Sequence, residues 1–364
     1  MGKKASIGWR IVQGLAVFFA VLLLFAFAAA FVNPEKFVWL AYFGMLFPLV
    51  LLINIFFAVF LAFNLKLMAL LPILVIALNW SNVQSLAKFK SAEFDTNPQK
   101  IKVMSYNVNL FDYYGKINSQ KGQTEREILD FIVGETPDIV CFQEFREHSQ
   151  ERAPSKRLTQ AAGLRHASQS RYNKQVAFGN KIFSRFPILR DSLIRFEDSK
   201  NLVQFIDVLA YDDTVRIFNF HMESIGFQRT DDAFYRDLLT APTEVSGLKD
   251  GVENLLEKMN RAYVKRSQQA RILNSLIAAS PYQTIVCGDM NDTPTSYCYH
   301  QISEHLSDSF CERALGLGTT YSGMYPAFRI DYVFFSEGLY CENFTTIRLK
   351  YSDHYPICTE LKIK

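Results

Sequence analysis

No two cysteines stand in a C-x-x-C pair. The six, at positions 141, 287, 298, 311, 341 and 358, are scattered through the second part of the chain, which excludes a zinc knuckle and a thioredoxin-type redox site. Cys141, Cys287 and Cys358 lie inside apolar, strand-like runs and read as small buried hydrophobes. Acidic residues are nearly missing from the first 90 positions, where Glu35 stands alone. The long apolar runs there hold neither carboxylate nor histidine, so a transporter would have no relay to work with. A basic excess is missing from the remainder. Of 39 Lys and Arg and 36 Asp and Glu, seven basic residues and one acid precede position 91, so the rest is slightly acidic and the net +3 belongs to the first part. Non-specific nucleic-acid binding therefore lacks its electrostatic footprint. No internal repeat occurs, which excludes a solenoid.

What is present divides at about residue 90. Trp9 to Val32 is apolar apart from Arg10 and Gln13 and is long enough to cross a bilayer. A second apolar run, Phe37 to Phe63, follows after only Asn33-Pro34-Glu35-Lys36, which favours a multi-span anchor over a cleaved signal peptide. A third, Leu67 to Trp80, reaches spanning length when extended from Leu65 to Ala87, with Lys66 and Lys88 snorkelling at its ends. Lys3, Lys4 and Arg10 outweigh the Glu35-Lys36 loop, so the positive-inside rule puts the N-terminus in the cytoplasm. Three spans then place the remainder outside the cytoplasm, and two would leave it inside, as Lys88, Lys90, Lys100 and Lys102 would favour. The three-span reading is preferred. Expected organisation is an anchor of two or three helices over residues 1–90, a linker over 91–100 (the chain turns polar from Ser81), and a catalytic domain over 101–364.

Strand patterns cover Ile101 to Asn107, Asp138 to Gln143, Gln175 to Phe183, Leu202 to Tyr211, Val215 to Phe220, Gln283 to Cys287, Ile330 to Phe335 and Pro356 to Ile363. Thr124-Glu125-Arg126-Glu127 reads as the cap of a helix running to about Val133, and Tyr263 to Ala279 as an amphipathic helix. Ser224 to Asn260 is long, polar and weakly periodic. Many strands with few helices fit an α+β or layered sandwich better than a strictly alternating parallel sheet.

The chemistry gathers at strand ends. Ile285-Val286-Cys287 leads through Gly288 into Asp289 and Asn291, whose two-residue spacing turns a carboxylate and a carboxamide to one spot. Alone this would be a strand followed by an Asx-turn. Asn107, Glu144, His221 with Glu223, Asp331, and the Ser352-Asp353-His354 run stand at other strand ends, and their joint occurrence is the signal. The segments Ser105-Tyr106-Asn107, Cys141-Phe142-Gln143-Glu144, Gly179 to Ile188, Asn219-Phe220-His221, Gly288-Asp289-Met290-Asn291, Arg329-Ile330-Asp331-Tyr332 and Ser352-Asp353-His354 occur in the order of one known family. The chain resembles the endonuclease/exonuclease/phosphatase family, which includes DNase I-like nucleases, neutral sphingomyelinases and inositol polyphosphate phosphatases.

That resemblance implies a four-layered α/β sandwich of two packed sheets flanked by helices. It implies that Asp289 orients and deprotonates the attacking water, although His354 is the rival base. Asn291 would donate to a phosphate oxygen. His354, paired with Asp331, would stabilise the transition state, an adjacent carboxylate keeping its imidazole protonated. His221 would touch phosphate or serve the leaving group, the alternative being a core-edge histidine bonded to backbone. Glu223 reads as a surface neighbour. Glu144, with Asn107 and Asp353 as further oxygen ligands, suits Mg²⁺ or Mn²⁺ rather than zinc. The expected function is a membrane-anchored, Mg²⁺-dependent phosphoesterase, with a lipid head group or small phosphoester favoured as substrate and the bilayer as partner. A tethered nuclease is the alternative and would use a groove of Arg229, Arg236, Lys258, Arg261, Lys265 and Arg266. An inactive scaffold would have lost the acidic and histidine residues that are all present.

Overall fold

Ile101 and Val103 turn to one side of their strand and Met104 and Tyr106 to the other, yet all four are fully buried. A strand covered on both faces needs a layer above and below it, and this alternation builds the catalytic part. The computed structural model describes residues 7–88, 99–115, 122–147, 154–168, 178–226, 245–323 and 328–363, with the backbone alone for 245–250. Its strands are β1 (Ala87–Lys88), β2 (Lys100–Asn107), β3 (Ile139–Arg146), β4 (His166–Ala167), β5 (Phe178–Ser184), β6 (Ile188–Arg195) and β7 (Leu202–Ala210). Then follow β8 (Asp213–His221), β9 (Gln283–Asp289), β10 (Ser307–Asp308), β11 (Gly316–Leu317), β12 (Asp331–Phe335), β13 (Leu339–Thr346) and β14 (Ile357–Ile363).

Six strands form one sheet in the order β10-β12-β9-β8-β7-β6, and six form a second in the order β13-β14-β2-β3-β5-β4. Within them β2–β3 and β8–β9 are parallel, and the other pairs are antiparallel. Ile101, Val103, Cys141 and Ile182 of one sheet pack against Ile206, Ile217, Ile285 and Val333 of the other. The Gln123–Glu135 helix covers one outer face through Ile128, Leu129 and Ile132. The Val245–Ala278 helix covers the other through Ala270, Leu273 and Ile277. Two mixed sheets flanked by helices make the α+β sandwich that the strand pattern and the resemblance implied.

Three local expectations differ. Gly122, in the left-handed region, caps the first helix, and Thr124 lies inside its first turn. The long helix starts at Val245, well inside the stretch that reads as polar and weakly periodic, while residues 227–244 fall outside the described ones. Edge strand β6 leaves most of its side chains exposed, so burial imposes no clean alternation on Ile188 to Arg195.

In the first part, Ile7–Ala29 is long and apolar enough to cross a membrane alone. Trp39–Met45 with Phe47–Phe63, bent by 64°, and Leu67–Leu78 with Trp80–Leu86, bent by 62°, reach that length only as pairs. Pro48, in the first turn of Phe47–Phe63, supplies the first break, because its ring cannot continue a preceding helix. That break turns Trp39–Met45 into a shelf under the catalytic part. Tyr42 Oη donates to Asn260 Oδ1 at 2.8 Å, and Thr295 Oγ1 donates to the Gly44 carbonyl at 2.7 Å. A Cβ at position 44 would stand 3.1 Å from the Thr295 carbonyl oxygen, so the backbones meet because glycine is there. Glu35 accepts from Gln268 at 2.7 Å and from Arg271 at 2.5 Å. At the end of the extended third run, Trp80–Leu86 is helical and β1 then pairs with β11, while Arg329 donates to the Ser85 carbonyl at 3.0 Å. Most of the expected linker, residues 91–98, lies outside the described residues.

Candidate active site

Strand register brings the key groups into a row. His221 is opposite Asp289 in the parallel β8–β9 pair, and Asp289 is opposite Asp331 in the antiparallel β9–β12 pair. Neighbouring strands lie about 4.8 Å apart, so three titratable groups stand side by side across one sheet end. The second sheet ends at the same place. Asn107 closes β2 opposite Gln143, one residue before Glu144, and His354 lies just ahead of β14, which pairs antiparallel with β2.

Side chains join the two sheets there. Asn107 Nδ2 donates to Asp289 Oδ2 at 3.0 Å, and the other Asp289 oxygen accepts from the Asn291 backbone N–H at 2.8 Å. His354 Nδ1 lies 3.0 Å from Asp331 Oδ2. An ionised carboxylate only accepts, so this nitrogen carries the proton. His354 Nε2 is 3.7 Å and His221 Nε2 3.6 Å from Asp289 Oδ2, and His221 Nε2 is 3.9 Å from Glu144 Oε1. Asp289, Asp331 and His354 are all buried. Ser352 Oγ donates to the Asn107 carbonyl at 2.8 Å and accepts from the His354 N–H at 3.2 Å, fixing the loop that carries Asp353.

Electrostatics set the protonation states. Burial pulls the His354 pKa down, but Asp331 and Asp289 outweigh it and hold it well above the ordinary histidine value. Burial pushes the Asp289 carboxyl up, with Asp331 adding to the rise, while His354, His221 and Asn107 offset part of it. The cluster thus pairs a carboxylate of increased basicity with a charged imidazole, a combination typical of sites that move protons. An Asp331→Asn variant keeps the shape and removes one negative charge. The pH at which His354 loses its proton then moves down, and phosphoester turnover near neutral pH falls by about 10²-fold. An NMR titration of His354 beside the rate assay checks both, and an unmoved titration would refute the assignment.

Two site residues adopt left-handed backbone: Glu144 at φ 52° and Asn291 at φ 53°. Glu144 sits where the β3–β5 register shifts between Phe142 and Phe145, a bulge that turns its side chain out of the strand row. Such conformations are unfavourable for a glutamate and persist where the surroundings enforce them. Its side chain is 33% exposed and accepts no hydrogen bond among the described contacts. Glu144, Asn107 and Asp353 offer oxygen donors only, which fits a hard divalent cation. The Asn107 oxygen accepts from the Asn109 N–H at 3.0 Å and keeps one lone pair for an ion. Asp289, Asp331 and His354 form a separate cluster of metal-type donors within 4.8 Å of one another. Two of them, His354 and Asp331, are joined by their hydrogen bond, and Asp289 is held by Asn107 and the Asn291 N–H.

Sequence reasoning left out the supports of these groups. Gln143 Nε2 donates to Asn219 Oδ1 at 2.8 Å, and Asn219 Nδ2 to the Phe142 carbonyl at 2.8 Å, a buried amide bridge between the sheets. Its signal was a lone Asn inside Ile217-Phe218-Asn219-Phe220. Thr320 Oγ1 accepts from the Ile330 and Asp331 N–H groups at 3.0 and 3.1 Å. Arg266, expected on a solvated helix face, is buried, pairing with Asp292 at 3.1 Å and donating to the Glu223 carbonyl at 3.0 Å. It ties the loop after Asp289 to the long helix. Glu223 accepts from Ser199 at 2.6 Å and lies 3.5 Å from Lys265.

The sequence profile of the Endonuclease/Exonuclease/phosphatase family matches residues 104–354, which contain every one of these groups. The chain belongs to that family. Endonuclease/exonuclease/phosphatase enzymes hydrolyse phosphoester bonds, and this chain is such a hydrolase by fold and by family. A second profile, described only as a domain of unknown function, matches residues 10–86. No curated protein matches the chain. Similar solved structures include ANGEL2, a 2′,3′-cyclic phosphatase, at 16% identity and TM-score 0.53, covering 76% of this chain and 99% of that one. The human Nocturnin catalytic domain has 15% identity and TM-score 0.52, covering 75% and 97%. A humanized D. rerio TDP2 has 14% identity and TM-score 0.52, covering 72% and 99%. At these identities the likeness is one of fold.

Proposed function

We propose that the chain is a membrane-anchored phosphoesterase that uses Mg²⁺ or Mn²⁺ and water to cleave a small phosphoester or a lipid head group. The observation that carries this reading is the convergence on Asp289 of Asn107, His221, Asn291 and His354, drawn from both sheets. With its pKa raised, Asp289 takes the proton of the attacking water. His354 is held protonated by Asp331 and donates to the phosphoryl group, which argues against it as the base. Asn291 gives one amide hydrogen to the Met222 carbonyl at 3.1 Å and keeps the other for a phosphate oxygen. His221, between Glu144 and Asp289, serves the leaving group. A divalent cation at Glu144, Asn107 and Asp353 would offset negative charge on the phosphate.

Of the six cations expected to line a nuclease groove, Arg266 is buried, Lys258, Arg261 and Lys265 line a cleft beside the site, and Arg229 and Arg236 lie outside the described residues. The test is hydrolysis by the full-length chain in detergent micelles, with Mg²⁺ and with chelator. Bis(p-nitrophenyl) phosphate, phospholipid vesicles and plasmid DNA serve as substrates. Metal-dependent cleavage of the small ester or lipid supports the reading, and cleavage of DNA alone would sink the substrate preference.

The three-span reading draws support from contacts at the two ends of the apolar helices. Residues 35–45 and 85–88 meet the catalytic part, whereas Lys66 lies over the Trp9 ring, 5.2 Å from its centroid. The basic end then faces the cytoplasm and the catalytic domain the other side. Protease added to the cytoplasmic face of sealed vesicles should spare the catalytic domain, and digestion there would reverse the topology.

A further inference from the structure

Beside the catalytic groups the protein opens a cleft of about 880 Å³. Glu144, Asn180 and His221 line it, and so do Lys258, Arg261 and Lys265 of the long helix and Lys200 of the β6–β7 connection. We propose that this cleft is a subsite for a second phosphate group, so that the substrate carries an anionic group besides the ester that is cleaved. This inference rests on the phosphoesterase reading above.

Lys258, Arg261 and Lys265 recur three and four residues apart, which places them on one stripe of the helix. A different stripe, through Leu256 and Asn260, contacts Tyr42 on the shelf. Acidic neighbours are present, but most are engaged. Glu223 accepts from Ser199 and faces Lys265, and Glu257 pairs with Arg261 at 3.0 Å. That last pair is exposed on both sides, so a bound phosphate replaces it at little cost. Lys265 Nζ donates to the Asp198 carbonyl at 2.7 Å and to Glu223 at 3.5 Å, and retains one hydrogen. Ser199 and Asn201 add polar groups to the wall, and Phe178, Leu202, Ile225 and Ala262 give it apolar surface, among the described residues. A cleft of this size exceeds what one phosphate fills. Its cations come from elements other than those that carry Asp289, His354 and Asp331. A polyanionic ligand, rather than an acyl chain, fits that chemistry.

The test measures binding to the full-length chain in micelles by calorimetry, using propyl phosphate and propane-1,3-diol bisphosphate. A parallel arm uses phosphatidylcholine vesicles with and without a phosphorylated phosphatidylinositol. The bisphosphate should bind about tenfold tighter than the monophosphate, as one added charge-assisted contact implies. Lys200→Glu, and separately Lys258→Glu with Arg261→Glu, should erase that preference and leave propyl phosphate binding unchanged. Arg261→Lys should retain it. A preference confined to the lipid arm, or shared by both, supports the subsite and names its source. Equal binding of mono- and bisphosphate in both arms, or a preference that survives both charge reversals, overturns it. Because binding is read without turnover, failed hydrolysis with an intact preference would count against the phosphoesterase reading alone.

Discussion

An Asp289→Asn chain folds normally and loses phosphoester hydrolysis by about 10²- to 10⁴-fold in kcat, the range that removal of a general base produces. The reason lies in what each Asp289 oxygen does. One accepts from the Asn291 N–H and the other from Asn107 Nδ2, at 2.8 and 3.0 Å. An amide keeps its shape and one acceptor but cannot take a proton from water. Its NH₂ must face either the Asn291 N–H or Asn107 Nδ2, so one buried hydrogen bond is lost, at a cost of about 1 kcal/mol. Against this, the variant no longer buries the charge whose desolvation raises the Asp289 pKa, so the two changes oppose each other. Thermal unfolding should therefore stay close to that of the parent while turnover collapses. Rates within tenfold of the parent would move the base elsewhere, with His354 next in line. Measuring kcat and the unfolding midpoint on one preparation separates lost chemistry from lost fold.

Glu144 carries the second large effect. Glu144→Gln removes the carboxylate that faces the proposed cation site, and hydrolysis should fall by about 10²-fold or more, with weaker Mg²⁺ binding by calorimetry. Chelator should do to the parent what this substitution does to the variant. A glycine at 144 is more telling. The residue sits at φ 52°, where any side chain is strained and glycine is not. Glu144→Gly should abolish turnover and stabilise the fold by up to about 1 kcal/mol, read by chemical denaturation. A site residue whose removal strengthens the fold is held there for chemistry. A destabilised glycine variant with full activity would refute the assignment.

The candidate catalytic groups were legible in the sequence because each stands where an apolar run stops. Asn107, His221 and Asp289 each follow a short run that is mostly apolar, and that contrast survives in one dimension. The supports were hidden for a different reason. Arg266 looks like any cation of an amphipathic helix until its pairing with Asp292, 26 residues away in sequence, places it in the core. Thr320 holds Asp331 from a segment with no periodicity of its own. The Val245–Ala278 helix was half visible, because only its later turns present apolar residues to the sheet at regular intervals. The break at Pro48 was not read in the sequence, where Phe37 to Phe63 looks like one unbroken apolar run. What it created, a shelf resting on Thr295, depends on a contact between residues 251 positions apart.

That shelf has a consequence for kinetics. Thr295 lies six residues beyond Asp289, and its hydroxyl is bonded to the backbone of the shelf. If the apolar helices sit in a bilayer, the aspartate proposed as the base does not swing on a leash. It is parked at one height above the hydrocarbon and samples the surface only by drifting sideways with its anchor. For a lipid substrate, the relevant concentration is then molecules per unit of surface, not per unit of volume. Spreading the same lipid among inert neighbours slows such an enzyme, whereas adding water to the suspension leaves its rate per vesicle unchanged.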